Sequence, residues 1–199
     1  MPQISLTDLV DIVSKSGTPK ATKVAQVKAR PDYEPAFDFY KPLRDRIIEI
    51  HRDGDPRSAL NVFLATVTDQ KKQSNYPSAV NGYKKWWGQK TLVWFSPPRT
   101  SYAQHGIEVI VNPELGLDVN GTRHLVKVYF KTDPLSKLRV DIIVRLMETT
   151  LRPHCRKNEA MAVLDVRQAR LFPFQSAAAA SMAMIDAELA YIASLWPHV

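Results

Sequence analysis

The sequence predicts an α/β (α+β) protein: a small mixed sheet with a central β-hairpin, flanked by helices and preceded by a helical amino-terminal part. Three observations predict it. Apolar residues recur at helical spacing from Leu6 to Ile50. Runs rich in β-branched and aromatic residues begin only after Tyr76. Between two of those runs stands Asn120-Gly121, the strongest short-range hairpin signal a sequence offers.

The elements follow in order. Ser5 and Asp8 form a capping-box pattern, and Leu6, Leu9, Val10 and Val13 repeat at helical spacing until Gly17 ends the run. Thr18 and Pro19 suit the cap and first turn of a second short helix carrying Val24 and Val27. Every formal charge between Ile12 and Pro31 is positive: Lys15, Lys20, Lys23, Lys28 and Arg30. Two short helices joined by a glycine turn fit a helix-turn-helix whose cations meet phosphates. No set of base-reading residues accompanies them, so a solvated basic face on an amino-terminal arm is the simpler reading.

"PAFDFYKPLRDRIIEIHRDG" predicts a helix with a stripe through Phe39, Leu43, Ile47 and Ile50, ended by Gly54. "DPRSALNVFLATV" predicts another, with Asp55 as cap and Pro56 in the first turn. Residues 69–75, "DQKKQSN", read as a polar connector, dividing a helical region 1–74 from a mixed α/β core 75–199 packed with it as one unit. "PSAVNGYKKWWGQK" suits a helix with Val80, Tyr83 and Trp87 toward the core and Lys84 and Lys85 outward. Its interleaved cations and aromatics also fit single-strand binding by stacking.

"TLVWFS" reads as a strand that Pro97 and Pro98 break. "GIEVIVNPELGLDV" and "TRHLVKVYFK" are the two arms of the hairpin. "SKLRVDIIVRLMETTLR" is an amphipathic helix opened by Ser136, with Leu138, Ile142, Leu146 and Met147 on one side. "AMAVLDV" is a buried-strand pattern that returns through "ARLF", with Asp165 forming the turn. The alanine-rich "SAAAASMAMIDAELAYIASLW" closes as a packing helix with Met184, Leu189, Ile192 and Leu195 on its contact face.

Composition narrows the function. At 199 residues, with 45% hydrophobic and 24% charged residues, the chain is long enough for one substantial core. No apolar run approaches the roughly 18 residues of a membrane span, and the amino terminus lacks a secretion-signal pattern, so the expectation is a soluble, cytoplasmic protein without a membrane partner. The single cysteine, Cys155, forms no internal disulfide. A formal charge of +7 favours acidic partners, nucleic acid first among them. The five histidines show no metal-ligand spacing. No phosphate loop, dinucleotide fingerprint or nucleophile elbow is visible, which argues against nucleotide-driven chemistry and serine hydrolysis.

With Asn120 and Gly121 as the loop, the hairpin register is fixed. Asp118 then opposes Arg123, Gly116 opposes Leu125, Glu114 opposes Lys127 and Asn112 opposes Tyr129. These share one face with Lys131, while Val109, Val111, Leu115, Leu117, Val126, Val128 and Phe130 take the other. Two cross-strand ion pairs, worth up to about 1 kcal/mol each, are one sufficient account of the charged row. If helices cover it, the same groups are poised for metal or phosphate chemistry. Gly116 leaves room for something to approach the strand closely.

The order helix, strand, strand, strand, helix, strand from Tyr76 to about Val166 resembles the core of the PD-(D/E)XK nuclease-like superfamily. Pro113-Glu114 stands at the place of the first motif and Leu125-Val126-Lys127 at that of the second. The resemblance implies Glu114, Asp118 and Lys127 as catalytic residues, with a divalent cation, Mg or Mn, held by Glu114 and Asp118. The cations of "GYKKWWGQK" and of the charged hairpin face give Lys84, Lys85, Arg123 and Lys131 as the expected nucleic-acid contacts. The pattern departs at Leu125, where the second carboxylate belongs, and the first core helix supplies no acid; Asp118 is the available substitute. The expectation is therefore nucleic-acid or polyanion binding through the charged hairpin face, with cleavage disfavoured. The alternative is a non-catalytic structural or protein-interaction protein that self-associates through its carboxy-terminal helix.

Overall fold

In the computed structural model, residues 1–31, 38–175 and 182–199 are described. The expected helix start at Pro35 to Phe37 and the alanine run 176–181 lie outside them. Among the described residues, strands and helices alternate as a mixed α/β fold with helices toward the amino terminus. None of these helices is long and apolar enough to cross a membrane.

The chain builds two sheets where the sequence suggested one. Strand β1 (Gln3–Ser5) precedes α1 (Leu6–Val13), α2 (Gly17–Lys28), α3 (Lys41–Asp53), α4 (Ala59–Thr66) and α5 (Gln70–Trp87). Then come β2 (Leu92–Phe95), β3 (Thr100–Gln104), β4 (Ile107–Val111), β5 (Leu115–Val119) and β6 (Thr122–Tyr129). Helix α6 (Lys137–Leu151), β7 (Ala160–Asp165), β8 (Arg170–Pro173) and α7 (Met182–Leu195) complete it. The larger sheet has the order β2-β5-β6-β7-β8, antiparallel except for the parallel pair β6 and β7 that α6 connects. In the smaller sheet, β4 lies between β3, antiparallel to it, and β1, parallel to it.

The larger sheet is buried on both faces, as a sheet with a helical crossover requires. Leu115, Leu117, Val126, Val128, Phe130 and Leu164 pack against α3, α4 and α5. On the other face Leu125, Tyr129, Met161 and Val163 join α6, α1 and the smaller sheet. The expectation that Val109 and Val111 share a face with Leu115 and Leu117 is corrected here. Both belong to β4 and fill the second cluster, because the buried Pro113 breaks the run and the chain changes sheets.

Helix α6 touches β7, β3, β4, α1 and α7, so it is apolar on more than one side. Val140, Ile143 and Val144 are buried along with Ile142, Leu146 and Met147, whereas Leu138, expected on the stripe, is 38% exposed. Gly82 lets α5 meet the larger sheet: a Cβ there would sit 1.8 Å from the Val166 carbonyl oxygen.

Several caps follow the sequence. Ser5 and Asp8 form the reciprocal capping box, and Gly54 ends α3 in the left-handed region at φ 74°. Asp55 does not cap α4; its carboxylate binds Arg46 at 2.9 Å, and α4 begins later, after turn bonds from Ala59 to Pro56 and Leu60 to Arg57. The segment 69–75 is not a connector either. Asp69 accepts from the Lys72 amide at 2.8 Å and caps α5, so the polar residues form the exposed first turns of that helix. A boundary at 74 falls inside α5, and β1 is part of the smaller sheet.

Candidate functional site

The hairpin forms in the expected register. Asn120 and Gly121 both have positive φ, 52° and 89°, as a two-residue turn matched to strand twist demands. Val119 opposes Thr122, Asp118 opposes Arg123, and Gly116 opposes Leu125. The charged residues do come onto one face, but that face is roofed by α6 and α1, and each charge has found its own partner.

Glu114 and Lys127 form an ion pair at 2.5 Å with side chains only 10% and 11% exposed. The other Glu114 oxygen accepts from the Val128 amide at 2.7 Å, and Lys127 also donates to the Asn112 carbonyl at 3.2 Å. The pair therefore clasps the Asn112–Glu114 corner, where the chain passes from β4 to β5. Asp118, four residues further along an extended strand, lies roughly 13 Å away by strand rise. One of its oxygens accepts from the Gly121 amide at 2.6 Å. It does not converge with Glu114, so it does not replace the carboxylate that Leu125 lacks.

These residues do not fit a divalent cation. Both Glu114 oxygens are engaged, and among the described residues no group of three or more His, Cys, Asp or Glu side chains could hold a metal.

Asp118 and Arg123 are opposed in register yet do not pair. Arg123 donates from Nε to Glu159 at 2.7 Å, and its guanidinium carbon sits 3.5 Å from the centre of the Phe95 ring. Glu159 is 5% exposed. Lys131, beyond the far end of β6, binds Asp11 of α1, which also lies 3.5 Å from Lys23. Lys84 donates to Asn61 at 2.8 Å, and it and the exposed Lys85 lie on α5, across the sheet from Arg123. The four expected nucleic-acid contacts thus do not form one surface: Lys84 and Lys85 share α5, while Arg123 and Lys131 stand at opposite ends of β6. Nor is α2 a free basic helix: Lys20 pairs with Glu188 and Lys28 donates to the Trp196 carbonyl, and Arg30, just beyond it, pairs with Asp8. Arg30 and Ser5 outweigh the upward push of burial and hold the Asp8 carboxyl below its usual range.

The accessible part of the charged face is its Arg123 end. An open depression of about 430 Å³ is lined there by Phe95, Pro97, Pro98, Arg123, His154 and Arg156, with Cys155 and Glu159 beside them. Arg99 follows Pro98, Lys157 follows Arg156, and both are exposed. The side chains of Arg99, Arg156 and Lys157 make no hydrogen bond or ion pair among the described residues. Burial, followed by the Glu159 carboxylate, pushes the Cys155 thiol up to about 11, so it is not a thiolate nucleophile at neutral pH.

A partial signal for this place was legible in the sequence. Gly116 indicated a close approach, and the structure identifies it as Phe95: a Cβ on Gly116 would lie 2.3 Å from the Phe95 carbonyl oxygen and 2.7 Å from its ring. Glu159 and Arg156 carried no pattern of their own, because they meet Phe95 and Arg123 only when β2, β5, β6 and the start of β7 assemble. No protein-family model, curated protein or solved structure matches this chain.

Proposed function

We propose that this chain binds nucleic acid at the depression over Arg123 and does not cleave it. The observation that carries the reading is one open concavity lined by the exposed, unpaired Arg156 together with His154 and Arg123, with two more exposed cations, Arg99 and Lys157, next in sequence to its lining residues Pro98 and Arg156. Unpaired exposed cations release counterions when they meet phosphates, whereas the paired ones on α2 and β6 are already neutralised. The net charge of +7 acts in the same direction.

With β3 and β4 set apart in the smaller sheet, the remaining order α5, β2, β5, β6, α6, β7, with β6 and β7 parallel, supports a nuclease-like ancestry for the core. The closed Glu114–Lys127 clasp and the absent second carboxylate support loss of cleavage. A self-associating structural protein is supported less well, because Ile185, Leu189 and Ile192 of α7 are spent on the protein's own core.

Anisotropy of labelled single- and double-stranded DNA and RNA over a salt series tests the reading. The expected result is binding that weakens steeply with salt, with Arg156→Ala and Lys157→Ala each lowering the log–log slope by about 1. In magnesium or manganese, cleavage is expected at background in wild type, Glu114→Ala and Lys127→Ala alike. No binding at about 50 mM salt would remove the proposal.

A further inference from the structure

We infer that the Arg123–Phe95 stack is a shelf for an unpaired base, so that the nucleic acid bound here is single-stranded; this rests on the reading just proposed. The shelf is built in layers. Gly116 has no side chain, so the Phe95 ring lies against the backbone of β5, closer than any Cβ would permit. The guanidinium of Arg123 covers that ring at 3.5 Å. Glu159 then fixes the plane: one oxygen takes Arg123 Nε at 2.7 Å and the other takes the Arg156 amide at 3.2 Å.

That arrangement leaves a particular chemistry. Glu159 offsets the charge of Arg123, so the stack offers a rigid flat surface more than a net charge. One face of the guanidinium is taken by Phe95 and its Nε edge by Glu159. What remains, with the side chain 23% exposed, borders the depression. Guanidinium planes and aromatic rings both stack on nucleobases, and they do so without reading sequence. Pro97 and Pro98 give the depression an apolar wall beside this plane. Arg156 on its lining, with Arg99 and Lys157 next in sequence to lining residues, supplies the phosphate contacts. A duplex keeps its bases paired and stacked on one another, so it can use the cations but not the shelf.

The experiment compares a labelled oligo(dA) of about 12 nucleotides with an abasic oligonucleotide of the same length and charge, and with the duplex form, at fixed salt. Wild type is expected to bind the base-bearing single strand about tenfold more tightly than the abasic strand, and more tightly than the duplex. Arg123→Lys keeps the charge and the Glu159 pair but loses the plane; Phe95→Leu removes the ring beneath it. Both are expected to erase most of the preference, bringing the base-bearing and abasic strands to within about twofold of each other. Equal affinity for base-bearing and abasic strands, or for single strand and duplex, overturns the shelf and leaves the phosphate-binding reading standing. No binding of any probe overturns both. The wild-type comparison decides even if a variant fails to fold, which a thermal melt reports.

Discussion

The Phe95 ring occupies the space that a side chain at Gly116 would need, and its carbonyl oxygen would lie 2.3 Å from a Cβ built there. Phe95 and Gly116 are cross-strand partners on β2 and β5, so the contact lies between neighbouring strands. Gly116→Ala must therefore move backbone as well as ring. It is expected to cost about 3 kcal/mol, at the upper end for overpacked sites, read as a lowered urea midpoint. Phe95→Ala added to it should not restore stability, because the clash with the carbonyl remains. Full restoration would show that only the ring obstructs the site.

Gly82 makes the corresponding prediction on the other side of the sheet. Its Cα faces the Val166 carbonyl so closely that an added methyl would have to push α5 away from the turn after β7. Gly82→Ala gains helix propensity of up to about 1 kcal/mol and still is expected to destabilise, by about 2 kcal/mol or more net. A stability equal to or above wild type would mean that α5 sits further from the sheet.

The Glu114–Lys127 clasp is expected to matter for folding. Lys127→Ala strands a nearly buried carboxylate at the corner between the sheets, for an expected loss of about 2 kcal/mol. That is less than the 3–5 typical of a fully buried broken pair, because both side chains keep some exposure. The double variant Glu114→Gln, Lys127→Met should be the milder one, since no lone charge is left. Chemical denaturation of the three proteins checks the order. If Lys127→Ala unfolds at the wild-type midpoint, the pair does not hold the corner.

What the sequence disclosed was local, and what it concealed was assembled at long range. The hairpin register was readable because Asn120-Gly121 dictates a turn within two residues, and the capping box at Ser5 for the same reason. The change of sheet at Pro113 was not, because alternation continues on both sides of it and the smaller sheet is completed by β1, about a hundred residues earlier. The His105-Gly106 turn, with φ of 51° and 78°, was a missed hairpin signal that would have revealed β3. Opposition in register also proved insufficient to name ion pairs. Asp118 turned to its own turn amide and Arg123 to Glu159, a residue brought in by the β6–β7 pairing. The expected catalytic set accordingly separated into a structural clasp, Glu114 with Lys127, and a turn cap, Asp118, while Arg123, expected to contact nucleic acid, lines an open depression.

His51 sets the last expectation. It is 7% exposed, shares a 2.6 Å hydrogen bond with the buried Tyr83 hydroxyl and packs against Trp87. Burial pushes its pKa down to about 4, against an unfolded value of about 6.5. The folded protein therefore holds His51 neutral across a range in which the unfolded chain binds a proton. Stability from this group is fully present above about 6.5, declines as pH falls through that value, and stops declining near 4. The loss across the window is expected to be about 2 to 3 kcal/mol. The Asp8 carboxyl, held below the usual carboxylate range by Arg30 and Ser5 against the upward push of burial, loses its contribution at lower pH than His51 does. His51→Gln keeps a hydrogen-bonding group for Tyr83 but cannot titrate, so its urea midpoint should stay nearly flat between about pH 7 and 4.5 while that of wild type falls. Parallel profiles for the two proteins would mean that His51 is protonated in the folded state and that its burial does not set the acid limit of stability.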